Sequence, residues 1–221
     1  MINPKIPVFI PYGYRGIGKT MLLQRLAYYL RQKGYAVIPK GKYLSILDRK
    51  GMLVCYCIDM AGDSQFDIDN PHGGILMEVN SLINESNPKI WGFMVENNNW
   101  LNQQQRQGYV QNIRNIASIA LAPRDKVLFI YNKVDLTPFV NDNGKVLWRG
   151  LFDSAASLYP GIFNPFERKN ALLRILKGKF CFRMTPFQTG FFNVSGGSTQ
   201  FQPGRDEYPK QLWYNILKCI R

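Results

Sequence analysis

The fold is decided by one stretch: Pro7-Val8-Phe9-Ile10-Pro11-Tyr12-Gly13-Tyr14-Arg15-Gly16-Ile17-Gly18-Lys19-Thr20. Its first six residues form a short apolar run with β-branched and aromatic side chains, which predicts a buried strand. After Thr20, apolar residues recur at Leu22, Leu23, Leu26, Ala27 and Leu30, the spacing of one face of an amphipathic helix over Lys19–Lys33, with Gly34 placed to end it. Between strand and helix, Gly13–Thr20 fits G-x-x-x-x-G-K-[ST], in the context that pattern requires. A glycine turn of this kind points successive backbone N–H groups inward and makes a concave anion site. The start of the following helix adds unsatisfied donors and a positive dipole. The pattern therefore predicts that Gly13, Tyr14, Arg15, Gly16, Ile17 and Gly18 wrap a phosphate tail, that Lys19 reaches the β- and γ-phosphates, and that the Thr20 hydroxyl ligates Mg²⁺. The competing reading is a structural glycine turn beside a solvated lysine.

Outward from this stretch, strands alternate with helices. Tyr35–Pro39, Tyr43–Leu47, Met52–Met60, Ile90–Val95, Lys126–Tyr131 and Phe191–Val194 read as strands. Ile75–Ile83, Leu101–Leu121 and Pro209–Ile220 read as helices, and Asn164-Pro165 as a helix start. The alternation of apolar strands with helices predicts an α/β three-layer sandwich around a mostly parallel sheet, and the polar turn Asp48–Gly51 predicts one antiparallel edge strand.

Two further motifs fall at predicted strand ends. Asp59-Met60-Ala61-Gly62 fits D-x-x-G and follows the apolar run Leu53–Ile58. Acids in this position lie where ligands bind in open α/β sheets. Asp59 is expected to hold Mg²⁺ through water, and the Gly62 amide to approach a γ-phosphate. Asn132-Lys133-Val134-Asp135 fits N-K-x-D and follows Lys126–Tyr131. A carboxylate accepts two hydrogen bonds from the N1–H and exocyclic amino group of guanine, a donor pair adenine lacks. Asp135 would thus select the base, Asn132 bind its edge and tie the loop, and the Lys133 stem lie against the ring.

In these three motifs the chain resembles the P-loop GTPase family, in particular its Ras-like and translation-factor-like branch. Val194-Ser195-Gly196 is weakly similar to the loop whose amides contact the guanine oxygen in that family, which makes Ser195 and Gly196 nucleotide-binding candidates. The resemblance implies a six-stranded sheet over most of residues 5–221, GTP and GDP as ligands, Mg²⁺ as cofactor, Lys19, Thr20 and Gly62 as catalytic residues, and loops that respond to the γ-phosphate. Three departures bear on hydrolysis. No threonine lies between Thr20 and Asp59, where the first switch loop normally carries one, and Ser45 sits inside a predicted strand. Asp63 follows Gly62, where Ras-like enzymes carry a water-orienting Gln. Arg15 adds bulk to the phosphate loop, projecting outward or acting as an arginine finger in cis. His72 is read as a surface-loop histidine, with water positioning as its alternative role.

The 221 residues are 46% hydrophobic and 19% charged, which excludes a disordered chain and suits a single domain over 1–221. No apolar run reaches the length of a membrane span, and the N-terminus lacks a secretion signal's pattern, so the expected location is cytoplasmic. Four cysteines without C-x-x-C read as buried thiols. The formal charge is +13, from +4 in residues 1–110 and +9 in 111–221. Such a field attracts polyanions without naming one. Nucleic acid and anionic membrane rest on charge alone. Residues about 138–188 read as a basic, aromatic-rich insertion, whose basic face or the switch loops would dock a protein partner. The expected function is a guanine-nucleotide switch that hydrolyses GTP slowly or with a partner; the alternative is a non-hydrolysing, nucleotide-bound scaffold.

Overall fold

The computed structural model describes residues 3–59, 81, 82, 84–97, 101–119, 121–141, 145–188, 190–195 and 198–220. Strand β1 (Val8–Tyr12) is buried at every position, as is β5 (Lys89–Val95), and β6 (Lys126–Tyr131) is buried after its first residue. Strands this uniformly apolar need cover on both faces, and only a central place in a parallel sheet supplies it. They form the middle of a seven-stranded sheet with β2 (Ala36–Lys40), β3 (Tyr43–Leu47), β4 (Leu53–Ile58) and β7 (Arg183–Pro186), in the order β2-β3-β4-β1-β5-β6-β7. β1, β4, β5, β6 and β7 run parallel, while β3 is antiparallel to both its neighbours. The antiparallel strand is thus one place in from the edge. β2 takes the edge itself, with Pro39 and Lys40 exposed, residues that discourage further strand pairing.

The helices that accompany these strands include α1 (Lys19–Gln32), α2 (Gln103–Ile119), α3 (Trp148–Leu158), α4 (Ala171–Lys177) and α5 (Glu207–Ile220). α1 packs on α5, and α5 covers β7. α1 is anchored by Arg25, which is fully buried and donates to Gly204 O at 2.7 Å and Asp206 Oδ1 at 2.6 Å at the start of α5. The three-layer α/β architecture expected of a P-loop fold is present, with seven strands rather than six.

Two local expectations are corrected. Phe191–Val194 does not extend the main sheet. It lies in β8 (Gly190–Ser195), which among the described residues pairs with β9 (Ser198–Pro203) alone, in a separate antiparallel hairpin. The last sheet strand is β7, inside the stretch read as an insertion. Arg183-Met184-Thr185-Pro186 is short and carries a charge and a proline, so its composition is a poor strand signal. The pairing with β6 still holds Thr185 and Pro186 buried. The aromatics of that stretch form a packed cluster: Phe163 lies 4.8 Å from Phe129 and 4.5 Å from Phe152, ring centre to ring centre, and Phe182 lies 4.6 Å from Phe129. Cys55 and Cys57 are buried thiols as expected, whereas Cys181 is exposed. Among the described residues no helix is long and apolar enough to cross a membrane.

Candidate functional site

β1 is where the chain changes direction across the sheet. From β1 it moves out to β2 and returns through β3 to β4 on one side, then crosses to β5 on the other. Loops leaving the carboxyl ends of β1 and β5 therefore part, and the crevice between them is the place where open α/β sheets bind ligands. Gly13–Thr20 leaves β1 there. The hydroxyl of Tyr109, from α2, bridges the two strand ends by donating to Met94 O at 2.7 Å and Tyr12 O at 3.2 Å.

The turn has the geometry its glycines permit. Gly16 and Gly18 have φ of 79° and 98°, in the left-handed region where a side chain is strained. A Cβ on Gly13 would sit 2.8 Å from Ile17 Cγ2 and 3.3 Å from Met94 Cβ, so the buried Ile17 packs where a side chain would otherwise stand. Gly18 begins α1 without a side-chain cap, and the first turn of α1 holds no acid. The start of a helix with neither a side-chain cap nor a first-turn acid is the end that attracts an anion. Lys19 is buried and folds back over the loop, its Nζ donating to Gly13 O at 2.6 Å and Tyr14 O at 3.1 Å. Thr20 and Arg15 are exposed.

Asp59 is exposed at the end of β4, the strand next to β1. The register that sets Phe9 opposite Cys57 brings Asp59 to the level of Pro11, two residues before the turn. Thr20, in the first turn of α1, and Asp59, at the end of β4, each carry a hard oxygen donor of the kind that suits Mg²⁺. Gly62, Asp63 and His72 lie outside the described residues.

On the other side of the crevice, Asn132–Asp135 leaves β6. Asn132 is fully buried and its Nδ2 donates to Ile17 O at 2.6 Å, a bond between groups 115 residues apart that ties this loop to the glycine turn. Its Oδ1 has no hydrogen-bond partner among the described residues. Lys133 is the one non-glycine residue with positive φ among the described residues, at 53°. This turns the chain into the short 3-10 helix Val134–Leu136, which carries Asp135, partly exposed, in its first turn. Ser195 ends β8 in the separate hairpin, and Gly196 lies outside the described residues. The segment that follows the last sheet strand is instead Phe187-Gln188, held against the N-K-x-D loop by Phe187 N to Tyr131 O at 2.7 Å and Val134 N to Phe187 O at 3.2 Å.

A residue absent from the sequence reading joins these two loops. Glu96, just past β5, is almost fully buried. Its Oε1 accepts from the Tyr14 hydroxyl at 2.9 Å, and its Oε2 meets Lys133 Nζ at 2.6 Å. Tyr159, just after α3, places its hydroxyl 3.2 Å from that of Tyr14 and donates to Glu96 O at 3.3 Å. Burial, reinforced by Tyr159 and Glu96, pushes the Tyr14 phenol far above its ordinary range, and burial pushes Tyr159 up to about 12, so both remain protonated donors at neutral pH. Nothing in the sequence marked Glu96 out, because it opens the polar run Glu96-Asn97-Asn98-Asn99 and reads as solvated loop. Glu96→Gln keeps an acceptor for Tyr14 but removes the attraction for Lys133. It is expected to lower stability by about 2 kcal/mol in urea unfolding, since it leaves a partly buried ammonium without its counter-charge. An unchanged midpoint would show that the pair is solvated in solution.

No protein-family model matches the chain, and no curated protein matches it. Among solved structures, a nucleolar GTP-binding protein 1 from Plasmodium falciparum aligns over 98% of this chain and 89% of its own, at 14% identity and a TM-score of 0.45. The Roco2 protein of Methanosarcina barkeri, solved bound to GDP, aligns over 98% of this chain and 50% of its own, at 15% identity and a TM-score of 0.41.

Proposed function

We propose that the chain binds guanine nucleotides, with the triphosphate in the Gly13–Thr20 turn and the base against Asn132–Asp135, and that it converts GTP to GDP and phosphate slowly or with a partner's help. The observation that carries this reading is the 2.6 Å bond from Asn132 to Ile17 O. It fixes the loop bearing a guanine-type carboxylate at one distance from a turn shaped for phosphates.

In this reading the uncapped amides of α1 and the Lys19 ammonium bind the phosphate oxygens. Lys19 releases the carbonyls of Gly13 and Tyr14 to do so. Thr20 and Asp59 would hold Mg²⁺, which supplies charge neutralisation for the phosphates. Lys133 is positioned by Glu96 so that its stem flanks the base. Hydrolysis breaks the bond between the γ-phosphorus and the β–γ bridging oxygen, with water as the nucleophile. The protein contributes positioning and electrostatic stabilisation. Asp63, a shorter and negatively charged residue at the position of the usual Gln, puts the orientation of that water on a partner.

Nucleotide extraction from purified protein, followed by chromatography, tests the ligand: GDP or GTP is expected, and adenine nucleotides alone would overturn the reading. A single-turnover assay with Mg²⁺–GTP, with and without cell extract, tests the reaction. Phosphate release accelerated by extract supports the partner-assisted switch. No release in either arm leaves a nucleotide-bound scaffold.

A further inference from the structure

The helix α4 stands apart from the core. Leu172, Leu173, Ile175 and Leu176 are 64%, 40%, 81% and 69% exposed, and no residue of the helix is buried. A seven-residue helix with so much apolar surface in water has little reason to form by itself. Here it is built in. Asn170 caps its start by accepting from Leu173 N at 3.1 Å. Arg168 closes its end, donating from Nη1 to Lys177 O at 3.0 Å and Gly178 O at 2.9 Å. The base of the excursion is stitched by Arg168 N to Lys179 O at 2.9 Å, by Cys181 N to Phe166 O at 2.9 Å and by a Lys179–Glu167 ion pair at 2.9 Å. Directly beneath, Phe166, Phe180 and Phe182 join the aromatic cluster. The protein thus secures an exposed apolar helix by bonds at both of its ends.

The charge around it is predominantly of one sign, Glu167 at its base being paired with Lys179. Arg168, Lys169, Arg174, Lys177, Lys179 and Arg183 lie in the stretch 168–183, which contains no Asp or Glu. At 100° per residue, the four large apolar side chains span an arc of about 160°, and Arg174 and Lys177 project from the opposite side. This is the pattern of a helix lying in the plane of a membrane surface: apolar groups enter the acyl boundary while cations stay among the headgroups. A protein groove would need a matching shape and its own acids. A bilayer rich in anionic lipid meets an exposed apolar helix in an acid-free stretch with no such requirement, and each flanking Lys or Arg adds attraction.

We infer that α4 and its basic collar are a docking site for an anionic phospholipid surface. This does not depend on the nucleotide reading, because none of these residues lies in the Gly13–Thr20 or Asn132–Asp135 loops. The test is flotation of the full chain with phosphatidylcholine vesicles and with vesicles about one third phosphatidylglycerol. Binding is expected only to the anionic vesicles, and to fall sharply in about 0.5 M salt, where screening shortens the reach of the charges. Ile175→Glu with Leu176→Glu is expected to cut bound protein at least about tenfold. Arg174→Glu with Lys177→Glu should do the same. Both pairs of residues are exposed, so circular dichroism should be unchanged. Absence of binding to anionic vesicles, or equal binding by the variants, would overturn the inference. So would a dimer of the wild-type chain in sedimentation equilibrium that Ile175→Glu dissolves, since a second copy would then be the occupant.

Discussion

Lys19→Ala is expected to weaken binding of Mg²⁺–GTP by about two to three orders of magnitude while the chain stays folded. The size follows from what the ammonium is asked to do. Charge-assisted hydrogen bonds to phosphate oxygens are roughly twice as strong as neutral ones, and a site that excludes water strengthens them further. The structural cost is smaller. Lys19 Nζ reaches the carbonyls of Gly13 and Tyr14, so its loss removes a donor from two loop oxygens at the edge of the core. That costs on the order of 1–2 kcal/mol. Fluorescent-nucleotide titration measures the first effect and a circular dichroism melt the second. If Lys19→Ala binds nucleotide as the parent does, the ammonium serves the loop alone, and the phosphate reading of the turn fails. Lys19→Arg separates the two roles again: it keeps the charge but not the reach, and should still lose most of the affinity.

The parts of this protein legible from the sequence are those written in contiguous residues. Gly13–Thr20 could be read because strand, turn and helix follow one another, each with its own period. The central strands could be read because burial on both faces makes them apolar throughout. What could not be read depends on contacts between distant residues. Nothing local shows that Asn132 bonds to the backbone of Ile17, or that Glu96 sits between Tyr14 and Lys133, since these residues lie far apart in the chain. Tyr109 is hidden for the opposite reason. It sits in register with Ile113 and Ile116 and reads as core, while its hydroxyl bridges two strand ends. Strand composition also misled at the sheet's far side. Phe191–Val194 looks like a strand and forms only a hairpin, whereas Arg183–Pro186 looks poor and completes the sheet, because β6 and α5 supply the burial its own residues do not announce. The same ambiguity covers α4: Leu172, Leu173, Ile175 and Leu176 have the spacing of a core helix, and only the fold reveals that no described residue covers them.

Asp135→Asn is expected to lower affinity for guanine nucleotides by at least about a hundredfold and to create a measurable preference for xanthine nucleotides. The reasoning is a count of donors and acceptors. A carboxylate accepts both from N1–H and from the exocyclic amino group of guanine, at charge-assisted strength. The amide of asparagine offers one acceptor and one donor. Its NH₂ then faces the guanine amino group, and two donors are left opposed without acceptors, the arrangement a site rejects most strongly. Xanthine carries a carbonyl oxygen where guanine has that amino group, so the same NH₂ gains a partner. The substitution changes no volume, and Asp135 is partly exposed in the 3-10 helix after β6, so the fold has no reason to respond. Competition of unlabelled GDP, XDP and ADP against a fluorescent guanine nucleotide reads the ranking directly. Unchanged guanine preference would move base selection away from Asp135 to other groups of the site. Loss of all nucleotides alike would mean that the side chain shapes the loop rather than reading the base. Only the exchange of guanine for xanthine requires the carboxylate to meet the purine edge. That outcome would also fix the direction in which the base lies from the phosphate turn, since Asn132 holds the two loops together.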